Sequence, residues 1–242
     1  MSHSPLTRIG VIVPSSNTTM ERELWAMLPK GYSLHAARMR MRHVTPEELA
    51  RMDEDSVRAA EELADAQVAA IAYGCTIAIM CREPGYERQA QARLEDASGV
   101  PVILSATAVL DALRELGMRR VAVATPYLDS VAALELAFLR QYGIAVVDNK
   151  NLNIAENVVV GEQSEEVTYE LVRRLDLRGA DGVLISCAQL PSAGVIERLE
   201  REFDLPVIST NTATLWALFR RLGRPLAVRG YGRLLAGELR AA

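Results

Sequence analysis

The sequence predicts an α/β protein made of two similar halves, each a four-stranded parallel sheet with flavodoxin-like βα order. Short apolar segments alternate with longer amphipathic ones along the whole chain. The apolar segments read as continuous hydrophobic runs, which is typical of parallel strands covered on both faces. Pro14 and Pro126 are 112 residues apart, and so are Cys75 and Cys187. One shared offset predicts a duplicated unit whose halves are related by pseudo-two-fold symmetry, with an active site in the cleft between them.

The first half is predicted from two sets of segments. Strands are expected at Ile9–Val13, Ser33–Ala37, Val68–Tyr73 and Val102–Leu104, and helices at Thr19–Leu28, Pro46–Ala66, Tyr86–Ala97 and Ala106–Leu116. Thr18 stands three residues before Glu21, the spacing of a capping box, and Pro29 ends that first helix.

The second half repeats this order. Strands are expected at Val121–Ala124, Ala145–Asp148, Gly182–Ser186 and Val207–Ser209, and helices at Ser130–Tyr142, Glu165–Leu175, Ser192–Phe203 and Thr212–Leu222. We therefore predict an N-terminal domain of residues 1–116 and a C-terminal domain of residues 117–210. The last segment, residues 211–242, is expected to return and join the first domain.

Composition excludes several classes of function. The 242 residues are 50% hydrophobic and 24% charged, with a net charge of −4, so no basic surface for nucleic acid or anionic lipid is expected. The longest apolar run, Val68 to Met80, is shorter than the roughly 20 residues that cross a bilayer. The N-terminus does not resemble a signal peptide. With three cysteines, the chain is expected in the reducing cytoplasm with its thiols outside disulfides.

Ligands of parallel α/β sheets bind beyond the carboxyl ends of the strands. This rule selects four loops, which are expected to surround one small polar pocket: 14–19, 74–76, 126–127 and 186–189. They contain two thiols, Cys75 and Cys187, and the polar side chains of Thr76, Tyr127 and Gln189.

The two cysteines are the candidate chemical groups. Cys75 is predicted to lie where a strand ends and a helix begins. The backbone amides at the start of a helix lower the pKa of a thiol. A single buried cysteine is often only a small packing residue. A pair in register after matching strands favours chemistry instead. Cys81 has no counterpart in the second half and is interpreted as a bystander.

Ser15 to Thr19 form an unbroken run of neutral hydrogen-bonding residues, including Asn17. Helix capping accounts for one or two of them, and the rest fit a carboxylate held without a cationic side chain. No GxGxxG or GxxxxGK[ST] motif is present, so no nucleotide is expected. His3, His35 and His43 form no metal-binding or Ser-His-Asp pattern, so neither metal nor cofactor is expected.

Several of these motifs resemble the aspartate/glutamate racemase superfamily and, within it, the maleate cis-trans isomerases. The resembling segments are 12–21, 73–80, 124–127, 156–158 and 186–192, and the resemblance extends over nearly the whole chain. It implies that Cys75 and Cys187 are the two catalytic thiols, and that Asn17, Tyr127 and Asn157 bind the substrate. It also implies a homo-oligomer, either a dimer or a tetramer.

The implied activity is the cofactor-independent isomerisation of a small dicarboxylate, maleate, to fumarate. The Cys75 thiolate would add to one alkene carbon, giving a succinyl-cysteine adduct, and Cys187 would protonate the neighbouring carbon. The former double bond would then rotate and elimination would release fumarate. Donors near Asn17 would stabilise the enediolate charge, as in an oxyanion hole.

Three alternatives remain open at this stage. Amino-acid racemases also use two thiols, but the segment Ser186–Gln189 does not resemble their second motif. Arylmalonate decarboxylases resemble a one-thiol variant that lacks the first cysteine, so the presence of Cys75 argues against that activity. A catalytically silent binder of small acids would need the polar loops but would have no reason to lower the pKa of a thiol.

Overall fold

The protein folds into two four-stranded parallel sheets with helices interleaved between the strands. The structure, a computed structural model, describes residues 6–42, 46–224 and 226–237. The predicted α/β fold with two similar halves is confirmed. His3, His43 and the outermost ends of the predicted domains lie outside the described residues.

The first half, up to α5, forms one sheet with strand order β2-β1-β3-β4. Its elements are β1 (Thr7–Pro14), α1 (Met20–Met27), β2 (Tyr32–Met39), α2 (Pro46–Asp65), β3 (Ile71–Tyr73), α3 (Ile77–Met80), α4 (Tyr86–Ser98), β4 (Val102–Leu104) and α5 (Ser105–Glu115). The second half forms a sheet of the equivalent order, β6-β5-β7-β8. Its elements are β5 (Arg120–Thr125), α6 (Asp129–Gln141), β6 (Ala145–Asn151), α7 (Asn157–Gly161), α8 (Glu165–Arg173), β7 (Gly182–Ile185), a 3₁₀ turn (Ala193–Val195), α9 (Ile196–Phe203), β8 (Val207–Ser209), α10 (Thr210–Arg221) and α11 (Arg233–Ala236).

The first strand of each half lies between two others, and its residues are buried for that reason. Strand β1 pairs with β2 on one side and with β3 on the other, and residues 9–14 are all buried. Strand β5 takes the same place between β6 and β7. Because all the strands of a sheet are parallel, their carboxyl ends meet along one edge of that sheet.

The predicted elements agree with the observed ones except in detail. The sequence missed three short helices, α3, α7 and α11, each of five residues or fewer. The predicted capping box of Thr18 and Glu21 is wrong. The start of helix α1 is instead capped by Asn17, whose Oδ1 accepts hydrogen bonds from the Thr19 and Met20 amides at 3.1 and 2.9 Å. Glu21 accepts a hydrogen bond from Arg38 at 2.5 Å.

Helix α10 joins the two halves. It follows β8 of the second sheet but packs against α5, β3 and β4 of the first half. Thr214 Oγ1 donates to Ser105 Oγ of α5 at 2.9 Å. A capping box of Ser209 and Thr212 defines where the helix begins. These contacts place α10 against the first half. The predicted domain boundaries and the return of the whole segment 211–242 stay predictions.

Within residues 6–42, 46–224 and 226–237, no helix has both the length and the apolar character needed to cross a bilayer.

Candidate active site

The carboxyl edges of the two sheets face each other and enclose a small cavity. Cys75 lies two residues beyond the end of β3, and Cys187 two residues beyond the end of β7. Both thiols are buried, both border this cavity, and neither is in a disulfide. The other lining residues are Pro14, Asn17, Met41, Gly74, Thr76, Ile77, Tyr127, Asn157, Ala188 and Gln189. A larger depression of about 380 Å³ beside Trp216 contains neither thiol.

The 14–19 loop is held rigidly from both sides. Asn17 uses Oδ1 to cap α1, which leaves its Nδ2 group as a donor at the cavity wall. Arg38 of β2 donates to the carbonyl oxygens of Asn17 and Ser15 at 2.8 and 3.3 Å. Ser15 Oγ is bound to the backbone of Met41, donating to its carbonyl at 3.2 Å and accepting from its amide at 3.1 Å.

Gln189 and Asn157 of the second half bind the same loop of the first. Gln189 Oε1 accepts from the Thr18 and Thr19 amides at 2.8 and 3.2 Å. Its Nε2 group donates to the carbonyl oxygens of Ser16 and Asn157 at 3.1 and 2.9 Å. Asn157 Nδ2 donates to Ser16 Oγ at 2.8 Å. These hydrogen bonds lock the two halves together at the mouth of the cavity.

The opposite wall carries a hydroxyl pair beside the second thiol. Thr76 Oγ1 and Tyr127 OH, one from each half, are 3.2 Å apart and buried. Cys187 has φ = +102°, a backbone conformation that non-glycine residues rarely adopt and that concentrates at functional sites. Thr210 Oγ1 accepts from the Cys187 amide at 3.1 Å, and the Gln189 amide points at the Cys187 sulfur at 3.4 Å. The strained turn therefore aims the thiol into the cavity.

Burial controls the protonation of this wall. It raises the pKa of the Cys187 thiol to about 11, against the lowering effect of hydrogen bonds from the Gln189 amide and Tyr127. It also raises the pKa of Tyr127 well above 10, and nearby charge on Cys187 would raise it further. Both groups are protonated at neutral pH, so the Cys187 thiol carries its proton in this site.

The structure brings together seven of the eight residues that the sequence selected. Ser15 is the exception: its hydroxyl is occupied by the backbone of Met41 and it does not line the cavity. Sequence reasoning passed over Met41 and Ile77 as wall residues. Met39 and Met41 alternate with arginines, which indicates one apolar face but not its position. Met41 lies two residues beyond the end of β2, where its backbone is hydrogen-bonded to Ser15 of the 14–19 loop.

The wall offers neutral donors to an anion. None of its lining residues, in the part of the chain that the structure describes, is Lys, Arg or His. Over the same residues, no three His, Cys, Asp or Glu side chains are grouped closely enough to hold a metal ion. His35 lies on β2 beside Ser33 and is not part of the wall.

A scan against protein-family models matches residues 9–235 to the arylmalonate decarboxylase family. The chain belongs to this family. A maleate isomerase from Geobacillus stearothermophilus is 40% identical over 96% of this chain and 98% of its own length. An arylmalonate decarboxylase from Bordetella bronchiseptica is 30% identical over 97% and 98%. Four maleate isomerases share 39 to 40% of their residues with the chain over nearly its whole length, and the chain is an enzyme of the isomerase class.

Solved structures agree with this assignment. A cysteine-to-alanine variant of the maleate isomerase from Pseudomonas putida S16, with maleate, has a TM-score of 0.92 at 39% identity and covers 96% of this chain and 98% of its own. A cysteine-to-serine variant of the Nocardia farcinica maleate cis-trans isomerase, with a covalently bound succinylcysteine intermediate, has a TM-score of 0.91 at 37% identity, covering 96% and 99%.

Proposed function

We propose that this protein isomerises maleate to fumarate without a cofactor, through a covalent adduct on Cys75. One observation carries the proposal: two thiols from the duplicated halves border one small cavity whose other polar side chains are all neutral. The identity to maleate isomerases, over nearly the whole chain, supports the choice of substrate.

The Cys75 thiolate adds to one alkene carbon and forms a carbon–sulfur bond. The electron pair of the double bond moves to the neighbouring carbon and its carboxylate, as an enediolate, and the Cys187 thiol supplies a proton there. The central carbon–carbon bond is now single and rotates. The Cys187 thiolate then takes a proton back from the same carbon, the carbon–sulfur bond breaks, and fumarate leaves with Cys75 restored as a thiolate.

The raised pKa of Cys187 supports this division of roles. A buried thiol with a pKa of about 11 holds its proton at neutral pH and suits the acid. The Nocardia intermediate, a succinylcysteine in a variant that has lost another cysteine, is the chemical species expected on Cys75 when the second thiol is absent.

The polar groups of the wall suit two carboxylates. We assign the Asn17 and Asn157 side chains, together with the hydroxyl pair of Thr76 and Tyr127, to binding the substrate oxygens. Donors that are in place once the substrate is bound stabilise the enediolate without reorganising during the reaction. The cavity measures about 20 Å³, room for about one water molecule and far less than a four-carbon dicarboxylate needs. The wall therefore has to move outward when substrate enters.

Gln189 is not assigned to binding the substrate in this proposal, although its place in the 186–189 loop predicted that it would line the pocket. All the described hydrogen bonds of its side chain run to the 16–19 segment and to Asn157. We assign it to holding the two halves together, with its side chain at the edge of the cavity.

The test measures the conversion of maleate to fumarate by proton NMR under reducing conditions. Wild type should produce fumarate, and Cys75→Ala and Cys187→Ala should each lose the activity by at least about a thousandfold, as expected when a nucleophile or a general acid is removed. Cys81→Ala is the matched control, because Cys81 is only half-buried and does not line the cavity. It should retain wild-type activity.

A second measurement tests the covalent step. Cys187→Ser incubated with maleate should gain the mass of one maleate, and peptide mapping should place the adduct on Cys75. Folded wild-type protein that produces no fumarate would rule out the substrate. Arylmalonate decarboxylation, which the family model favours as the second candidate, would then be assayed as loss of carbon dioxide.

A further inference from the structure

A buried glutamate lies behind the second thiol and has no place in the reaction described above. Glu135, on α6, is fully buried. Glu23, on α1, is 4% exposed. The two acids are 112 residues apart, the same offset that relates Cys75 to Cys187. The duplication has therefore placed one buried carboxyl group under each half of the site.

Glu23 is fully supplied with hydrogen-bond donors from the opposite half. Its Oε1 accepts from the Ser192 and Ala193 amides at 2.6 and 2.9 Å, and its Oε2 accepts from Asn211 Nδ2 at 2.7 Å. Burial raises the pKa of Glu23, and these three N–H donors oppose that rise because they favour the ionised, acceptor-only carboxylate.

Glu135 lacks this support. The positions equivalent to Ser192 and Ala193 are Met80 and Cys81, and their amides are used inside α3, donating to the carbonyls of Thr76 and Ile77 at 3.0 and 3.1 Å. Neither Glu135 oxygen has a hydrogen-bond partner of proper geometry among the described residues. A charged carboxylate in such surroundings is costly, so the neutral acid is favoured.

Two buried hydroxyls lie close to Glu135. Those of Thr125 and Ser186 are near enough to lower its pKa, yet both also lack a partner of proper geometry. A small shift of these side chains would pair all three groups. A protonated carboxyl group has both the donor and the acceptor that this cluster needs.

This cluster lies directly beneath the reactive wall. Thr125 ends β5 two residues before Tyr127, and Ser186 immediately precedes Cys187 at the end of β7. The two strands are hydrogen-bonded neighbours, with Ala124 opposite Ile185. A charge on Glu135 acts on both reactive-wall groups and raises the pKa of Cys187 and of Tyr127.

We propose that Glu135 is a positioning residue that works in its protonated form, tying the ends of β5 and β7 together beneath Cys187 and keeping negative charge away from that thiol. The proposal rests on the function proposed above, in which Cys187 must release a proton and recover it in each turnover. A carboxylate behind it would oppose the transient thiolate, and a neutral acid does not.

The proposal implies a pH limit. Burial raises the pKa of Glu135 to about 7, so it becomes charged just above neutrality. Tyr127 and Cys187 are the titratable groups that it influences in the wall. Asp148 and Lys150 of the adjoining strand β6 pair with each other at 2.8 Å and contribute nothing to its shift. Wild-type turnover should therefore fall above a pH of about 7.

The first experiment compares pH profiles of kcat for wild type, Glu135→Gln and Glu23→Gln. Glu135→Gln is a neutral isostere, so at pH 6 its kcat should lie within about threefold of wild type, and its decline above pH 7 should disappear. Glu23→Gln makes the same change at the duplicated position and should keep the wild-type decline, whatever its absolute rate. A Glu135→Gln profile with an unchanged decline, or a wild type with none near pH 7, would overturn the proposal.

The second experiment needs no maleate. In a Cys75→Ala, Cys81→Ala background, iodoacetamide modification of the remaining thiol, Cys187, is followed against pH with and without Glu135→Gln. Removing the charge should lower the apparent pKa of Cys187 by about one pH unit, which is about tenfold in thiolate at a given pH. An unchanged pKa overturns the role of Glu135 even if maleate is isomerised. If the pKa of Cys187 shifts but the protein does not isomerise maleate, the role of Glu135 is supported and only maleate as the substrate is ruled out.

Discussion

The buried carboxylate of Glu23 is predicted to be the strongest single link between the two halves. It projects from α1 of the first half, and all three of its hydrogen-bond donors belong to the second half or to α10: the Ser192 and Ala193 amides and Asn211 Nδ2. The perturbation is Glu23→Leu, which replaces the carboxylate with an apolar group of similar size and removes both acceptor oxygens.

The magnitude follows from what is left behind. The Ser192 and Ala193 amides lose their acceptor, and Asn211 Nδ2 keeps only the Ala188 carbonyl. Each buried donor left unsatisfied costs about 1–3 kcal/mol, partly offset by the apolar leucine. We expect the free energy of unfolding to fall by about 3–5 kcal/mol. Glu23→Gln retains a carbonyl oxygen for Ser192 and Ala193 and loses only the bond from Asn211, so it should cost about 1–2 kcal/mol.

The assay is urea unfolding at pH 7.5, followed by circular dichroism and by tryptophan fluorescence. Coincident transitions establish that one free energy describes both halves. A double-mutant cycle with Asn211→Ala should give a coupling energy of about 1–3 kcal/mol, since the two side chains are in direct contact. If Glu23→Leu costs less than about 1 kcal/mol, or the coupling energy is zero, Glu23 does not hold the halves together.

Three further predictions concern packing, the inter-half contact and pH. Gly74→Ala should lower the free energy of unfolding by about 1–3 kcal/mol in thermal melts. An added Cβ clashes with the Met20 sulfur and comes within 3.0 Å of the Ile12 carbonyl oxygen. An unchanged melting temperature would contradict this prediction. Gln189→Leu should cost about 2–4 kcal/mol in urea and raise the KM for maleate, since it removes the hydrogen bonds across the cavity mouth; a variant with both values unchanged would refute it. Because Glu135 has a pKa of about 7 when folded against 4.5 in its ordinary state, the folded protein binds the extra proton between these values. This group alone should lower the free energy of unfolding by about 3 kcal/mol as the pH rises from about 4.5 to about 7, at about 1.4 kcal/mol per pH unit. Glu135→Gln should remove this part of the slope in urea titrations. Burial also raises the pKa of Glu23, so a slope of the same sign remains in the variant.

The order of strands and long helices could be predicted because it depends on local pattern. Buried parallel strands read as apolar runs, and each long helix has its own amphipathic spacing. The short helices escaped for the same reason, since α3 and α7 are too brief to show a periodicity. Both contact the opposite half: α3 packs against α6, and Asn157 of α7 donates to Ser16. The capping box failed because partners distant in sequence competed for its groups, with Gln189 taking the Thr18 amide and Arg38 taking Glu21.

The sequence by itself determined the duplication, the two parallel sheets and the loops at their carboxyl ends, because these depend on local pattern and on a single repeated offset. It also determined which thiols could meet, since Cys75 and Cys187 follow equivalent strands. Only the tertiary structure decided that the Ser15 hydroxyl is hydrogen-bonded to the Met41 backbone and that α10 packs on the opposite half. It also decided that Glu23 has three hydrogen-bond donors and Glu135, at the equivalent position, has none of proper geometry among the described residues. Hydrogen-bond partners and pKa depend on the groups that surround a side chain in space, and most of those groups belong to the other half of the molecule.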